Sequence, residues 1–99
     1  MDKKAISFLG LCFKAGNLKI GEFGAETALK RKEAVLIILA GDASLNTKKK
    51  FENSAYFYKT CCVVAGSKEE FGRAFGRAEI SVLAVTQKGF ADKLKELLK

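Results

Sequence analysis

Four residues, Gly21-Glu22-Phe23-Gly24, follow a short apolar segment and open a stretch with helical spacing. The first turn of a helix leaves backbone N–H groups without partners. With the helix dipole, they attract a phosphate or the edge of a base. Lys19 precedes this turn, and Lys30-Arg31-Lys32 closes the segment. Phe23 stands at the mouth of the turn, where an exposed aromatic ring can stack on an unpaired base. The competing reading is a plain glycine turn with Phe23 in the core. The turn is not a dinucleotide fingerprint, because G-x-G-x-x-G is absent, and no G-K-[ST] follows to make a phosphate loop.

Other residues carry weaker chemical signals. Asp42 ends an apolar run and can orient a backbone or a ligand, or form a local turn or helix cap. Lys48-Lys49-Lys50 can hold phosphates or form a solvated helix face, with Phe51 as the inward anchor. Arg77-Ala78-Glu79 lies just before the last apolar run. Cys61 and Cys62 are adjacent, so in a strand they point to opposite faces and cannot readily chelate one metal. Core packing is the expectation for them and for Cys12. The chain has no histidine, which removes the commonest general base and metal ligand. No paired carboxylates replace it. No catalytic residue, metal site or cofactor is expected, and the chain does not read as an enzyme.

The elements that must position these residues follow from periodicity. Asp2 caps a first helix to about Ala15, with Ala5, Ile6, Leu9, Cys12 and Phe13 inward, and Gly16-Asn17 ends it. Leu18-Lys19-Ile20 is a short strand, and Gly21 starts a helix to about Lys32. Residues 34–40 form a strand buried on both faces. Ser44 or Asn46 caps a helix to about Tyr58, with Phe51, Ala55 and Tyr58 inward. Cys61–Ala65 is a strand, and Ser67 with Glu70 forms a capping box for a helix that stops at Gly76. Ile80–Val85 is the last strand. Thr86 caps the final helix, with Phe90, Leu94 and Leu97 inward. This alternation predicts an α/β fold, a three-layer α/β/α sandwich, with the loop before the last strand returning to the edge that holds Gly21.

Totals agree with one domain over residues 1–99, at 48% hydrophobic and a net charge of +7. The excess is local. Residues 14–32 carry Lys14, Lys19, Lys30, Arg31 and Lys32 against Glu22 and Glu26, and residues 44–60 carry Lys48, Lys49, Lys50 and Lys59 against Glu52. Such a balance favours an anionic partner. No apolar run approaches the ~20 residues of a membrane span, and the N-terminus does not read as a signal peptide. No membrane association and a cytoplasmic location are expected.

Several ordered blocks carry a family resemblance over nearly the whole chain. They are Lys14-Ala15-Gly16, Gly21 with Leu29, Val35 to Ser44, Asn46 to Lys50, Gly66-Ser67-Lys68 with Phe71 to Gly76, and Val82 to Thr86. The chain resembles the L-seven-Ae/L-thirty-e superfamily of kink-turn RNA-binding ribosomal proteins, most closely its bacterial YlxQ-like branch. The resemblance implies an L-thirty-e-like sandwich with a four-stranded mixed sheet, and RNA binding without catalysis. In kink-turn binders the helix after the first strand reads sheared G·A pairs, and a loop before the last strand covers an extruded base. By position, the reading turn is Gly21, Glu22, Phe23 and Gly24, with Thr27 and Arg31 on the same helix. Asp42 matches a family aspartate, and Arg77, Ala78 and Glu79 form the covering loop. Kink-turn readers carry Gly-x-Asn-Glu followed by Lys at the turn. Here Phe23 and Gly24 replace the Asn-Glu pair, and Thr27 stands where the Lys would be. That removes hydrogen-bonding groups worth about 1–3 kcal/mol of discrimination per base contact.

The expectation is a small ribosomal-protein-like module that binds structured RNA, an rRNA or a related ribosome-associated RNA. Lys19, Lys30, Arg31 and Lys48 supply charge, Gly21 and Gly24 allow close approach, and Phe23 stacks. Ribosomal or translation-factor proteins are expected as further partners. The alternative is a protein-interaction module of the translation machinery without direct sequence-specific RNA recognition.

Overall fold

The computed structural model describes residues 1–98, and within them the strands and helices alternate as the periodicity predicts. The elements are α1 (Lys3–Lys14), β1 (Leu18–Ile20), α2 (Gly21–Lys30), β2 (Leu36–Leu39), α3 (Leu45–Phe57), β3 (Cys61–Val64), α4 (Lys68–Ala74), β4 (Val82–Val85) and α5 (Lys88–Leu97). The sheet order is β1-β4-β2-β3. Strand β4 is antiparallel to both neighbours, while β2 and β3 are parallel. Thus β1, β2 and β3 run one way and β4 alone runs back between them.

The two central strands are buried on both faces, which is why they read as unbroken apolar runs. Alternate side chains feed two cores. Leu36, Ile38, Leu83 and Val85 pack with Leu9 and Cys12 of α1, Phe71 of α4, and Ala91 and Leu94 of α5. Ile37, Leu39, Val82 and Ala84 pack with Ala25, Ala28 and Leu29 of α2, and Phe51 and Ala55 of α3. A helix layer on each face of one mixed sheet is the expected α/β/α sandwich.

Local chemistry explains the boundaries. Asp2 accepts from the Lys4 N–H, Ser44 from Thr47 and Ser67 from Glu70. The Glu70 carboxylate meets the Met1 ammonium at 2.7 Å. That hydrogen bond, with a smaller contribution from Ser67, holds the carboxyl below the usual carboxylate range. Three expectations change. The cap of α5 is Gln87, whose side-chain oxygen accepts from the Phe90 N–H at 2.7 Å, and not Thr86. Phe13 is exposed, not inward, and lies beside Phe75 with ring centroids 5.1 Å apart. Cys61 is exposed on the edge strand, whereas Cys12 is buried and Cys62 half-buried. A strand at the edge of a sheet has too little cover to bury both of two adjacent side chains.

One close approach sets the loop before β4. A Cβ on Gly72 would lie 2.5 Å from the Ala78 carbonyl oxygen and 2.8 Å from that of Arg77. The Arg77 N–H in turn donates to the Gly72 carbonyl at 2.7 Å. Only glycine lets this loop lie against α4.

Two outcomes follow. Gly72→Ala should cost about 1–3 kcal/mol in thermal unfolding, because the loop must be pushed off α4. An unchanged melting temperature would show that the contact is looser than described. For the thiols, burial pushes Cys12 and Cys62 up to about 11. Near pH 8 such a thiol is roughly one part in a thousand thiolate, the reactive form. Iodoacetamide should therefore label Cys61 first, with Cys12 reacting only after unfolding, as read by peptide mass mapping.

Candidate nucleic-acid interface

The strand directions gather the sequence's candidate residues. Ile20 pairs with Leu83, and Leu39 pairs with both Val82 and Val64. The C-terminal ends of β1, β2 and β3 therefore share one edge with the entrance to β4. The Gly21–Gly24 turn, the Gly41-Asp42 turn, the Gly66-Ser67 turn and the Arg77-Ala78-Glu79 loop all open onto that edge. Because β1 is the direct neighbour of β4, the Gly21 turn and the Arg77–Glu79 loop belong to adjacent strands.

At this edge α2 differs from the other helices. Asp2, Ser44, Ser67 and Gln87 each cap a helix through a side chain, whereas α2 begins after Ile20 with no side-chain cap. Gly21 has φ +87°, in the left-handed region that favours glycine, so the chain turns sharply from β1 into the helix. The first N–H groups of α2 thus face outward without an internal acceptor from a capping side chain. Phe23 sits on this turn and is 84% exposed, which excludes the core reading. Lys19 is exposed on β1, and its Cβ lies 3.4 Å from where a Cβ on Gly24 would stand, so the turn packs closely on the strand. Thr27 is half-buried one turn further on.

Several charged residues have internal partners that the sequence did not reveal. The Lys48 ammonium donates to the Gly41 carbonyl at 2.6 Å. An Asp42 carboxylate oxygen accepts from the Lys68 N–H at 2.8 Å, so Asp42 caps α4 rather than the helix that follows it. Both bonds tie the β2–α3 turn in place. Lys50 reaches from α3 to α2 and meets Glu26 at 2.6 Å, with Glu22 at 3.9 Å. That hydrogen bond holds the Glu26 carboxyl below its ordinary range and raises the Lys50 ammonium. It also offsets acidic charge next to the uncapped turn.

The remaining candidates divide. Arg77, Ala78 and Glu79 are exposed at the same edge as the turn. Lys30 and Arg31 are exposed but stand at the other end of α2, roughly 14 Å along its axis from Gly21. They do not join the turn in one site. The missing cap is a feature the sequence reading overlooked, although an apolar Ile20 before Gly21 was its signal. Among the described residues, no group of three or more Cys, Asp or Glu side chains could hold a metal ion, and no helix is long and apolar enough to cross a membrane.

Comparison with known proteins agrees with this fold. A protein named RNA-binding protein YlxQ from Enterococcus faecium is 33% identical over 96 residues, covering 97% of this chain and 92% of its own. The protein of the same name from Bacillus subtilis strain 168 is 37% identical over 90 residues, covering 91% and 90%. A solved protein of unknown function from Bacillus halodurans C superposes with a TM-score of 0.90 at 35% identity, covering 98% of each chain. The Giardia lamblia 15.5kD RNA binding protein shares the fold alone, with a TM-score of 0.75 at 18% identity over 99% of this chain and 88% of that one. The family model described as Ribosomal protein L7Ae/L30e/S12e/Gadd45 matches residues 4–95. An α/β/α sandwich with β4 threaded between parallel strands, and these relatives along almost its full length, place the chain in the L7Ae/L30e/S12e/Gadd45 family of ribosomal proteins.

Proposed function

We propose that the chain binds structured RNA through the edge formed by the Gly21–Gly24 turn and the Arg77–Glu79 loop. The observation that carries this reading is the uncapped start of α2 with Phe23 exposed on it. Free helix amides take a phosphate or a base edge, and the ring offers a stacking face for an unpaired base. Lys19 adds charge beside the turn, and Arg77 adds it from the adjacent loop. The names of the two YlxQ relatives support RNA as the partner. Lys48 stands at the same edge with its ammonium on Gly41, so it serves to hold the turn and contributes its charge from there.

Recognition here rests on stacking and backbone contacts rather than on paired hydrogen bonds to guanine edges. Phe23 and Gly24 have no side-chain donor or acceptor. Glu22 can accept but is placed within reach of Lys50. The ligand is an rRNA or another structured RNA with an unpaired base at a helix junction, reached in a ribosome-associated setting.

Two measurements test this. Phe23→Ala should weaken binding to a structured RNA by roughly 5- to 150-fold, the range for one stacked base, with no change in melting temperature. Affinity should also fall with salt, by up to ~0.9 log units per log unit of salt for each phosphate contact. A salt slope near zero would exclude the reading. Separately, titration against a kink-turn RNA and against the same RNA with its G·A pairs replaced should give similar affinities. A large preference for the intact kink-turn would show that guanine edges are read without the Asn-Glu pair.

A further inference from the structure

The opposite end of the sheet, where β2 and β3 begin, carries a second cationic surface. Tyr56 and Phe57, at the end of α3, are 87% and 76% exposed. Lys32 and Lys59 line one recess with Phe57, while Lys30 lines the adjoining groove between α2 and α3, again with Phe57. Phe57 is steadied by an edge-on contact with Tyr58, with centroids 4.9 Å apart and an interplanar angle of 87°. Among the described residues, Lys30, Lys32 and Lys59 join no ion pair. Glu26, on the groove wall, is held by Lys50, and Glu33 and Glu52 are the other acids near in sequence.

The backbone singles out two of these lysines. Helices α1, α2 and α3 end in the same doubly hydrogen-bonded turn, which requires a left-handed residue just past the cap. The bonds are Gly16 N–H to Phe13 and Asn17 N–H to Cys12, Lys32 N–H to Leu29 and Glu33 N–H to Ala28, and Lys59 N–H to Tyr56 and Thr60 N–H to Ala55. In the layer made by α1, α4 and α5 the left-handed residue is glycine, Gly16 after α1 and Gly76 after α4. In the α2–α3 layer it is lysine, Lys32 at φ 59° and Lys59 at φ 57°. Among the described residues they are the two non-glycine residues with positive φ. Glycine takes this conformation freely and lysine does not. The strained choice is made at both helix ends that border the aromatic surface. Observed strain of this kind points to a role for the side chain.

We infer that the ends of α2 and α3 form a second binding surface, for single-stranded RNA, in which Lys30, Lys32 and Lys59 contact backbone phosphates and Tyr56 and Phe57 stack on bases. Exposed aromatics beside unpaired cations are the usual platform for an unpaired strand, and every base has a face to stack. The inference stands apart from the Gly21 edge, which lies at the other end of the sheet. A protein with both surfaces joins a structured RNA at one end to a flexible strand at the other.

The test uses the full chain and fluorescein-labelled oligouridylate, followed by anisotropy. Tyr56→Ala with Phe57→Ala should weaken binding by roughly tenfold or more. Lys32→Gly with Lys59→Gly should also weaken it and lower the salt slope by up to ~1.4, at about 0.7 per single-strand phosphate contact. The glycine variant should keep or raise its melting temperature, since it relieves the strained turns, so loss of affinity cannot be blamed on unfolding. Lys93→Ala, on α5 in the opposite helix layer, should leave oligouridylate binding unchanged, so the losses are not a general effect of lowered charge. The inference is overturned if wild type does not bind oligouridylate, or if either double variant binds as wild type does. It is likewise overturned if the glycine variant melts earlier, or if sedimentation shows the aromatic pair joining two copies of the chain instead.

Discussion

Everything at the candidate interface depends on β4 lying antiparallel between β1 and β2. Four consecutive buried residues on β4 face four on β2, Leu36 opposite Val85 through Leu39 opposite Val82. Burying a large apolar side chain contributes about 1.5–3 kcal/mol. A slip of one residue would send each set to the wrong helix layer. The register is therefore fixed from both sides of the sheet. Fixing it also fixes which loops meet, because the entrance to β4 must stand beside the exits of β1 and β2.

Charge at that edge is arranged before any ligand arrives. Asp42 on the Lys68 amide and Lys48 on the Gly41 carbonyl join the β2–α3 turn to its surroundings. Lys50 and Glu26 join α3 to α2. A solvent-exposed ion pair of this kind contributes little stability. Its effect is electrostatic, since a carboxylate near the start of α2 would otherwise repel a phosphate. Loops held in place lose less freedom on binding than mobile ones. Gly72 does the same for the Arg77–Glu79 loop by letting it rest on α4.

Much of this was legible in the residues. Apolar runs without alternation reported the two central strands, and capping residues reported the starts of α1, α3 and α4. Strand ends ran one or two residues short, as at Ala34 and Ile80, because burial extends past the paired residues. Long-range pairing was not legible. Lys48, Lys50 and Asp42 look free in a list of charges, yet each finds a partner brought near by folding. Phe23 was ambiguous because a ring has the same side chain in a core or on a surface, and only the path of β1 into α2 decides. Tyr56 and Phe57 fall off the inward face that Phe51, Ala55 and Tyr58 mark on α3, so their exposure was implicit in the spacing, but the cations they would join were not.

The reversed strand also governs the order in which the molecule can assemble. The β2–α3–β3 unit is local, with both strands of its parallel pair inside residues 36–64. β1 has no partner until β4 exists, for its pairs join Leu18 to Val85 and Ile20 to Leu83. Contacts of such separation carry the largest loop-closure cost and form late. During synthesis the N-terminal strand must therefore wait, unpaired, until almost the whole chain has emerged. The edge that holds Gly21 and the Arg77–Glu79 loop is then completed in a single late step, so a product truncated before β4 never assembles that edge.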